Sequence, residues 1–405
     1  MNAQPGGVLE VLVVATRLGL TSFGGPIAHL GYFHAEYVVR RKWLDEQTYA
    51  DVVALCQFLP GPASSQVGMA IGILRAGLPG ALAAWLGFTL PSALLLVAVA
   101  YGVAWAPAGP AESVFHGLKL VAVAVVAQAV WSMAGAMCPD ARRATFALAA
   151  AIVALLWPGA PGQLLTLAVA GGAGLLVLRP SFVPAQPVLP LSYGRGVAVA
   201  ALVLFGALLA GLPIAAQVTG NPLLAATDAF YRTGSLVFGG GHVVLPLLQA
   251  EVVPPGWVTA DQFLAGYGAA QAVPGPLFTL AAFLGAVMTP APDPLTGATL
   301  ALGAIFLPSL FLVVGTLPFW GAIRSRLAFR AALQGVNAAV VGLLAAALYT
   351  PVFTSAVRGP HDLAVVLAAS GLLMVWKAPP VLVVAVTVAL TLGAGVFGLL
   401  PGVRG

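Results

Sequence analysis

Arg17 and Arg232 lie inside otherwise apolar segments, each six residues before a Phe-Gly-Gly run, Phe23-Gly24-Gly25 and Phe238-Gly239-Gly240. A guanidinium at bilayer depth costs about 3 kcal/mol on insertion scales, and its planar fork matches the oxygens of an oxyanion. Farther along, Gln57 and Gln271 stand three residues before Pro60-Gly61-Pro62 and Pro274-Gly275-Pro276. Each Gly/Pro run ends one apolar half-helix and starts another. Glycine lets the chain turn and lets amides approach a ligand, and a proline just inside a helix start sacrifices no needed donor. The half-helices that begin at about Pro26 and after Pro62 therefore present free N–H groups and a positive dipole end. Ser64 and Ser65 add hydroxyls to the second of these. Gly239-Gly240-Gly241 and Pro274-Gly275-Pro276 supply two more such ends, with His242 just beyond the glycines. Four helix N-termini converging near the midplane make a site for a small oxyanion.

Each of these residues also has a plainer reading. The arginines could snorkel or pair with a carboxylate, as Asp228 stands one turn from Arg232. The glutamines could satisfy carbonyls freed by the breaks. His29 and His242 are offset by two positions once the two segments are aligned, so a symmetric histidine pair is not expected. Glu36 and Glu251 recur at matching positions and, with His29, are candidates for proton coupling, although Arg40 four residues after Glu36 offers an ordinary surface pair. No metal site, cofactor or catalytic constellation is expected: the chain holds no H-E-x-x-H, no nucleophile elbow and no membrane-facing acid cluster.

These residues belong to a pattern that occurs twice. Arg17-x-Gly19-x-x-x-Phe23-Gly24-Gly25, Glu36, Trp43, Gln57-x-x-Pro60-Gly61-Pro62 and Leu90-Pro91-Ser92 return at Arg232, Glu251, Trp257, Gln271 and Leu307-Pro308-Ser309, always 214 to 217 positions later. Mean hydropathy is +1.01 and only 7% of residues are charged, against about 25% in soluble domains. Apolar stretches of roughly 20 residues recur along the chain, so an all-α polytopic membrane protein is expected; the alternating ten-residue segments of a β-barrel are missing. A doubled membrane chain with matching Gly/Pro breaks points to a secondary transporter. The net charge of +5 comes from loop arginines and reports topology rather than nucleic-acid binding. Cys56 and Cys138 read as small side chains in or beside apolar segments, not a disulfide. The residues before Arg17 hold no Lys or Arg and include Glu10, so no cleavable signal peptide is expected. Trp43 and Trp257 read as interfacial anchors.

Segments 8–39, 48–75, 223–249 and 262–290 are long for one span and broken near the middle. If all thirteen apolar segments cross, Arg40, Arg41 and Lys42 fall opposite most other loop arginines; if those four are re-entrant hairpins, nearly all loop cations share one side, as the positive-inside rule prefers. The hairpin arrangement leaves nine full spans, five of them (79–106, 113–137, 143–157, 162–178 and 196–217) between the two hairpin pairs. Five is odd, so the second repeat is expected upside down. The expected organisation is a first repeat at 1–178, a connector at 179–222 carrying a linking transmembrane helix at 196–217, and an inverted second repeat at 223–405. Each repeat then has two broken or re-entrant hairpins and about four full spans.

Through Phe23-Gly24-Gly25-Pro26, Arg41-Lys42-Trp43-Leu44, Gln57-Phe58-Leu59-Pro60-Gly61-Pro62, Phe238-Gly239-Gly240-Gly241-His242 and Gln271-Ala272-Val273-Pro274-Gly275-Pro276, the chain resembles the chromate ion transporter (CHR) family in its long, two-domain form. The resemblance covers nearly the whole chain. It implies a multi-pass protein of the bacterial inner membrane that exports chromate from the cytoplasm and confers resistance to it. Chromate is a tetrahedral dianion close to sulfate in shape, and no residue separates the two, so transport of sulfate or another small oxyanion, or an anion channel on the same repeat, stays open. The expected partners are the oxyanion and the lipid bilayer, with no nucleic acid; a homodimer stays open.

Overall fold

The computed structural model describes residues 7–23, 25–105, 110–179, 191–238, 243–324 and 326–396, and the regular elements among them are all helical. The chain runs through α1 (Val8–Thr21), α2 (Gly25–Phe33, prolonged by wider π-type turns at His34–Arg40), α3 (Glu46–Phe58), α4 (Ala63–Trp105), α5 (Pro110–Met137), α6 (Ala141–Leu156) and α7 (Ala160–Val177). Helix α8 (Arg195–Thr219) follows. The pattern then resumes with α9 (Pro222–Leu236), α10 (Val244–Val252), α11 (Ala260–Ala272), a 3₁₀ turn at Leu277–Thr279, α12 (Leu280–Val287), α13 (Pro294–Thr316), the short α14 (Trp320–Arg324), α15 (Leu327–Ala347), α16 (Thr354–Ala356), α17 (Pro360–Met374) and α18 (Pro380–Val396). Among the described residues, five helical stretches are long and apolar enough to cross a membrane: Ala63–Gly102, Ser113–Met137, Arg195–Thr219, Pro294–Ala322 and Leu327–Ala356.

Capping residues set the hairpin bases. The Asp45 side chain accepts from the Thr48 N–H to start α3, and at the matching place Thr259 and Gln262 form a reciprocal capping box that starts α11. The broken segments double back, as the hairpin reading expects. Glu10, in the first turn of α1, lies 3.5 Å from Arg41 and 3.0 Å from Arg75. Arg75 in turn stacks 5.0 Å above the Trp43 ring, so the ends of both first-copy hairpins meet. In the second copy the Thr289 N–H, just past α12, donates to the Trp257 carbonyl before α11 at 3.1 Å. Helix α4 is two helices that fold back on each other: Ala76 and Gly77 (φ 67°) depart from helical geometry, and beyond them Gly80 packs against Gly72, so that the half-helix 63–75 and the longer rod after it are separate elements.

Helix α1 lies along the second part of α4, and α9 lies along α13. The glycine of each Arg-x-Gly pair makes this contact. A Cβ on Gly19 would sit 2.7 Å from the Gly87 carbonyl, and one on Gly234 would collide with the Ile305 carbonyl, so only a residue without a side chain lets the helices approach this closely. The outer helices are exchanged between copies: α6 and α7 pack on α15, while α17 and α18 pack on α5. Glycine makes these contacts too, with Gly342 against Ala147 and Gly335 against Ala170. Each copy thus depends on the other for its packing.

Candidate functional site

The two copies are joined backbone to backbone at their breaks. The Gly61 N–H donates to the Val237 carbonyl at 2.7 Å, and the Gly275 N–H donates to the Ser22 carbonyl at 2.9 Å. Each Pro-Gly-Pro turn of one copy is therefore fastened to the residue that precedes Phe-Gly-Gly in the other. Gly61 (φ 116°) and Gly275 (φ 104°) hold backbone conformations that a residue with a Cβ adopts only with strain. Each also lies under the serine of the opposite copy's Leu-Pro-Ser: a Cβ would meet Ser309 Oγ at 2.5 Å from Gly61, and Ser92 Oγ at 2.7 Å from Gly275.

Around the first Pro-Gly-Pro turn, Gln66 Nε2 donates to the Pro60 carbonyl at 2.6 Å and to Ser309 Oγ at 3.3 Å. His29 Nδ1 lies 3.3 Å from Ser64 Oγ, and the ring meets Phe88 edge-on at 5.3 Å. Ser64 and Ser65 are buried in the first turn of α4. Gly61, Pro62, Pro274 and Pro276 are buried, whereas Phe23, Gly25, Pro60, Phe238 and Gly275 are half-buried. Pro26 lies at the start of α2. Gly24, Gly239, Gly240, Gly241 and His242 lie outside the described residues.

The remaining candidates differ in their surroundings. Arg17 is exposed on α1 and makes no ion pair among the described residues. Arg232 is half-buried and bonds Asp228 at 2.6 Å and Glu251 at 3.1 Å. Glu36, the counterpart of Glu251, is instead held by Arg41 at 2.6 Å and Arg40 at 3.2 Å. Gln57 is exposed, and Gln271 is half-buried with its Nε2 lacking a partner. Trp43 is not an exposed belt residue: it is 6% exposed and stacked on Tyr37 at 5.2 Å, because Arg41 and Arg75 close over its ring. Cys56 and Cys138 are both free thiols.

Several polar contacts were not foreseen from sequence. Ser92 and Ser309 recur visibly, but a serine after a proline names no partner. Buried Lys119 on α5 bonds Asp261 at the start of α11 at 2.9 Å, and His116 bonds Asp362 at the start of α17 at 2.7 Å. Lys119 and His116 have no polar counterparts one repeat later, where Val336 and Leu333 stand, so the repeat gave no sign of them.

Comparison with known proteins gives a consistent result. The family model described as chromate transporter matches residues 9–175 and 224–396, one region over each copy of the pattern. The chromate transport protein of Cupriavidus metallidurans is 27% identical over 401 residues, covering 96% of this chain and 92% of that protein. The chromate transport protein of Pseudomonas aeruginosa is 28% identical over 375 residues, with 89% and 86% covered. A probable chromate transport protein of Synechococcus elongatus is 27% identical over 344 residues, with 82% and 81% covered. No solved structure matches the chain. With a doubled, broken-helix architecture and family matches over both copies, the chain belongs to the chromate transporter family.

Proposed function

We propose that this protein carries chromate across a bacterial inner membrane, exporting it from the cytoplasm and so conferring resistance. The observation that carries this reading is the reciprocal pair of backbone hydrogen bonds, Gly61 to Val237 and Gly275 to Ser22, which brings breaks of both copies to one junction. Irregular backbone at bilayer depth persists only where protein covers it or where it lines a wet path. Helix N-termini there contribute about half a charge each, enough together to offset much of a dianion. Arg17 and Arg232 then adjust affinity and selectivity, and Gln57 and Gln271 offer amide contacts. Glu36, Glu251 and His29 are the groups for proton coupling.

The copies are proposed to lie in opposite orientations. Five helical passes, the second part of α4 and then α5 to α8, separate the two hairpin pairs. The base of the first pair is near Glu10, Arg41 and Arg75, and Ser192, which leads into α8, lies against Gly77 on that same side. The base of the second pair is near Trp257 and Thr289, and Lys119, in the first turns of α5, reaches Asp261 there. Opposed copies place one half-site toward each face, which suits a carrier that exposes its site alternately.

Uptake of radiolabelled chromate into everted vesicles, with and without excess sulfate and with and without an imposed pH gradient, tests the reading. Saturable uptake that responds to the gradient supports a carrier. Current that reverses at the anion's equilibrium potential would make the protein a channel. Uptake of sulfate in preference to chromate would replace the substrate.

A further inference from the structure

The junction has the same backbone on its two sides but opposite chemistry. In the first copy it is lined by Ser22, His29, Ser64, Ser65 and Gln66, all at most 2% exposed. At the matching positions the second copy carries Val237, Val244, Phe278, Thr279 and Leu280, equally buried. The one hydroxyl among these, Thr279 Oγ1, is already bonded to the Pro276 carbonyl at 2.7 Å. In the first copy, Ser22 Oγ and Ser65 Oγ have no hydrogen-bond partner among the described residues. The His29 ring bridges the two breaks, with Nδ1 at Ser64 Oγ and the ring against the backbone of Ser22, yet Nε2 lacks a well-formed hydrogen bond.

A buried hydroxyl without a partner loses its hydration and gains nothing in return, so it destabilises the fold. The second copy holds the same turn and the same inter-copy bond with apolar side chains, so the fold does not require the hydroxyls. Ser65, with Ser64, also lies in the first turn of α4, whose first N–H groups are unpaired within the helix and would face an anion. The charges follow the same division: Arg232 is paired with two carboxylates, whereas Arg17 is paired with none among the described residues. We propose that the oxyanion binds asymmetrically, at the α4 N-terminus of the first copy, with Ser22, Ser64, Ser65 and His29 as its polar wall and the second copy as an apolar backing. This rests on the oxyanion reading above and narrows it from a symmetric set of breaks to one half.

Because the orphan hydroxyls burden the unliganded protein, their removal has a paired signature that a merely structural role lacks. Full-length protein in lipid nanodiscs, probed with radiolabelled chromate, is expected to bind at least tenfold more weakly as Ser22→Ala or Ser65→Ala. Without anion, the same variants melt at or above the wild-type temperature. The counterpart Thr279→Val leaves affinity within about twofold. A wild-type protein that binds and transports no chromate or sulfate sinks the oxyanion reading, and this proposal with it. Wild-type binding that neither serine variant weakens overturns the proposal alone. So does an equal loss in Thr279→Val, or a loss in the serine variants explained by a lowered melting temperature.

Discussion

Helix α11 of the second copy is buried continuously from Phe263 to Ala270, whereas its counterpart α3 leaves Ala54 and Gln57 exposed. The difference lies in what covers them. Helix α5 packs along α11 and is pinned there by Lys119 and Asp261. The equivalent helix, α15, meets α3 mainly at its tip, where Phe58 lies 4.3 Å from Phe329 and also touches Trp320. Helix α8 covers α9, and among the described residues no helix lies against α1 in the same way. Two copies of one pattern thus occupy two states, one clad and one open along its flank. In the opposed arrangement proposed above, a carrier would turn from one face to the other by exchanging such states between its halves. The comparison separates features that should act alike in both copies, the break glycines, from those that should not, the arginines and the glutamines.

The largest expected effect is also the symmetric one. Gly61→Val and Gly275→Val each force a branched side chain into a positive-φ turn and against a serine of the opposite copy. Displacing the junction by about 1 Å is enough to cost roughly a hundredfold in turnover. Both variants are expected to lose chromate transport in vesicles at matched membrane abundance. Normal transport by either one would reduce the junction to a structural kink.

Next come the arginines, where the copies should part. Arg232→Ala leaves Asp228 and Glu251 facing each other without their cation, and breaking a buried ion pair costs on the order of 3 kcal/mol. Low membrane abundance and a lowered melting temperature are expected, restored in part by adding Asp228→Asn. Arg17→Ala removes an exposed, unpaired group, so abundance and melting should hold while the apparent affinity for chromate weakens; Arg17→Lys, which keeps charge but loses the fork, should weaken it less. Equal instability in both Ala variants would show that Arg17 has a structural partner after all.

The glutamines probe the open flank directly. In a Cys138→Ser background, where Cys56 is buried, Gln57→Cys should react many-fold faster with a polar thiol reagent than Gln271→Cys. A substrate-dependent reversal of that order would show the two copies exchanging states. Equal rates in all conditions would remove the clad-and-open distinction.

What the sequence disclosed and what it hid divide along physical lines. Break positions were legible because only Gly and Pro tolerate such backbone, and α2 and α4 begin at Gly25 and Ala63 as the Phe-Gly-Gly-Pro and Pro-Gly-Pro runs imply. Doubling back was legible from arginine placement, and Glu10 against Arg41 shows it. The bond partners of Gly61 and Gly275 were not, because contacts between residues more than 170 positions apart leave no local signature. Nor was the exchange of α6 and α7 onto α15, since any apolar, Gly-rich helix face suits several neighbours. Gly19 was noticed as part of a motif, but its role as a helix contact depends on Gly87 and Phe88. Trp43 followed the usual rule for interfacial tryptophan until Arg41 and Arg75 folded over it.

The smallest expected effect concerns the caps at the hairpin bases, one ionisable and one not. The Asp45 carboxyl, outside the apolar segments, is held below the usual carboxylate range, first by the Thr48 N–H and then by the Thr48 hydroxyl. A depressed folded-state value means that its contribution is complete above about pH 4, the unfolded value, and is lost as pH falls through the folded one. Thr259 caps α11 with a hydroxyl and Gln262, neither of which titrates. Replacing a cap costs typically about 1 kcal/mol, which for a chain this long shifts melting by only a degree or two. Asp45→Ala should therefore lower the melting temperature of the detergent-solubilised protein slightly at pH 7 and by less at pH 3, which lies below the unfolded-state value, so that part of the charge contribution is already lost. Thr259→Ala should lower it by the same small amount at both. A pH-independent Asp45→Ala deficit would mean that Asp45 acts through packing rather than charge, and a pH-dependent Thr259→Ala deficit would break the contrast between an ionisable and a non-ionisable cap.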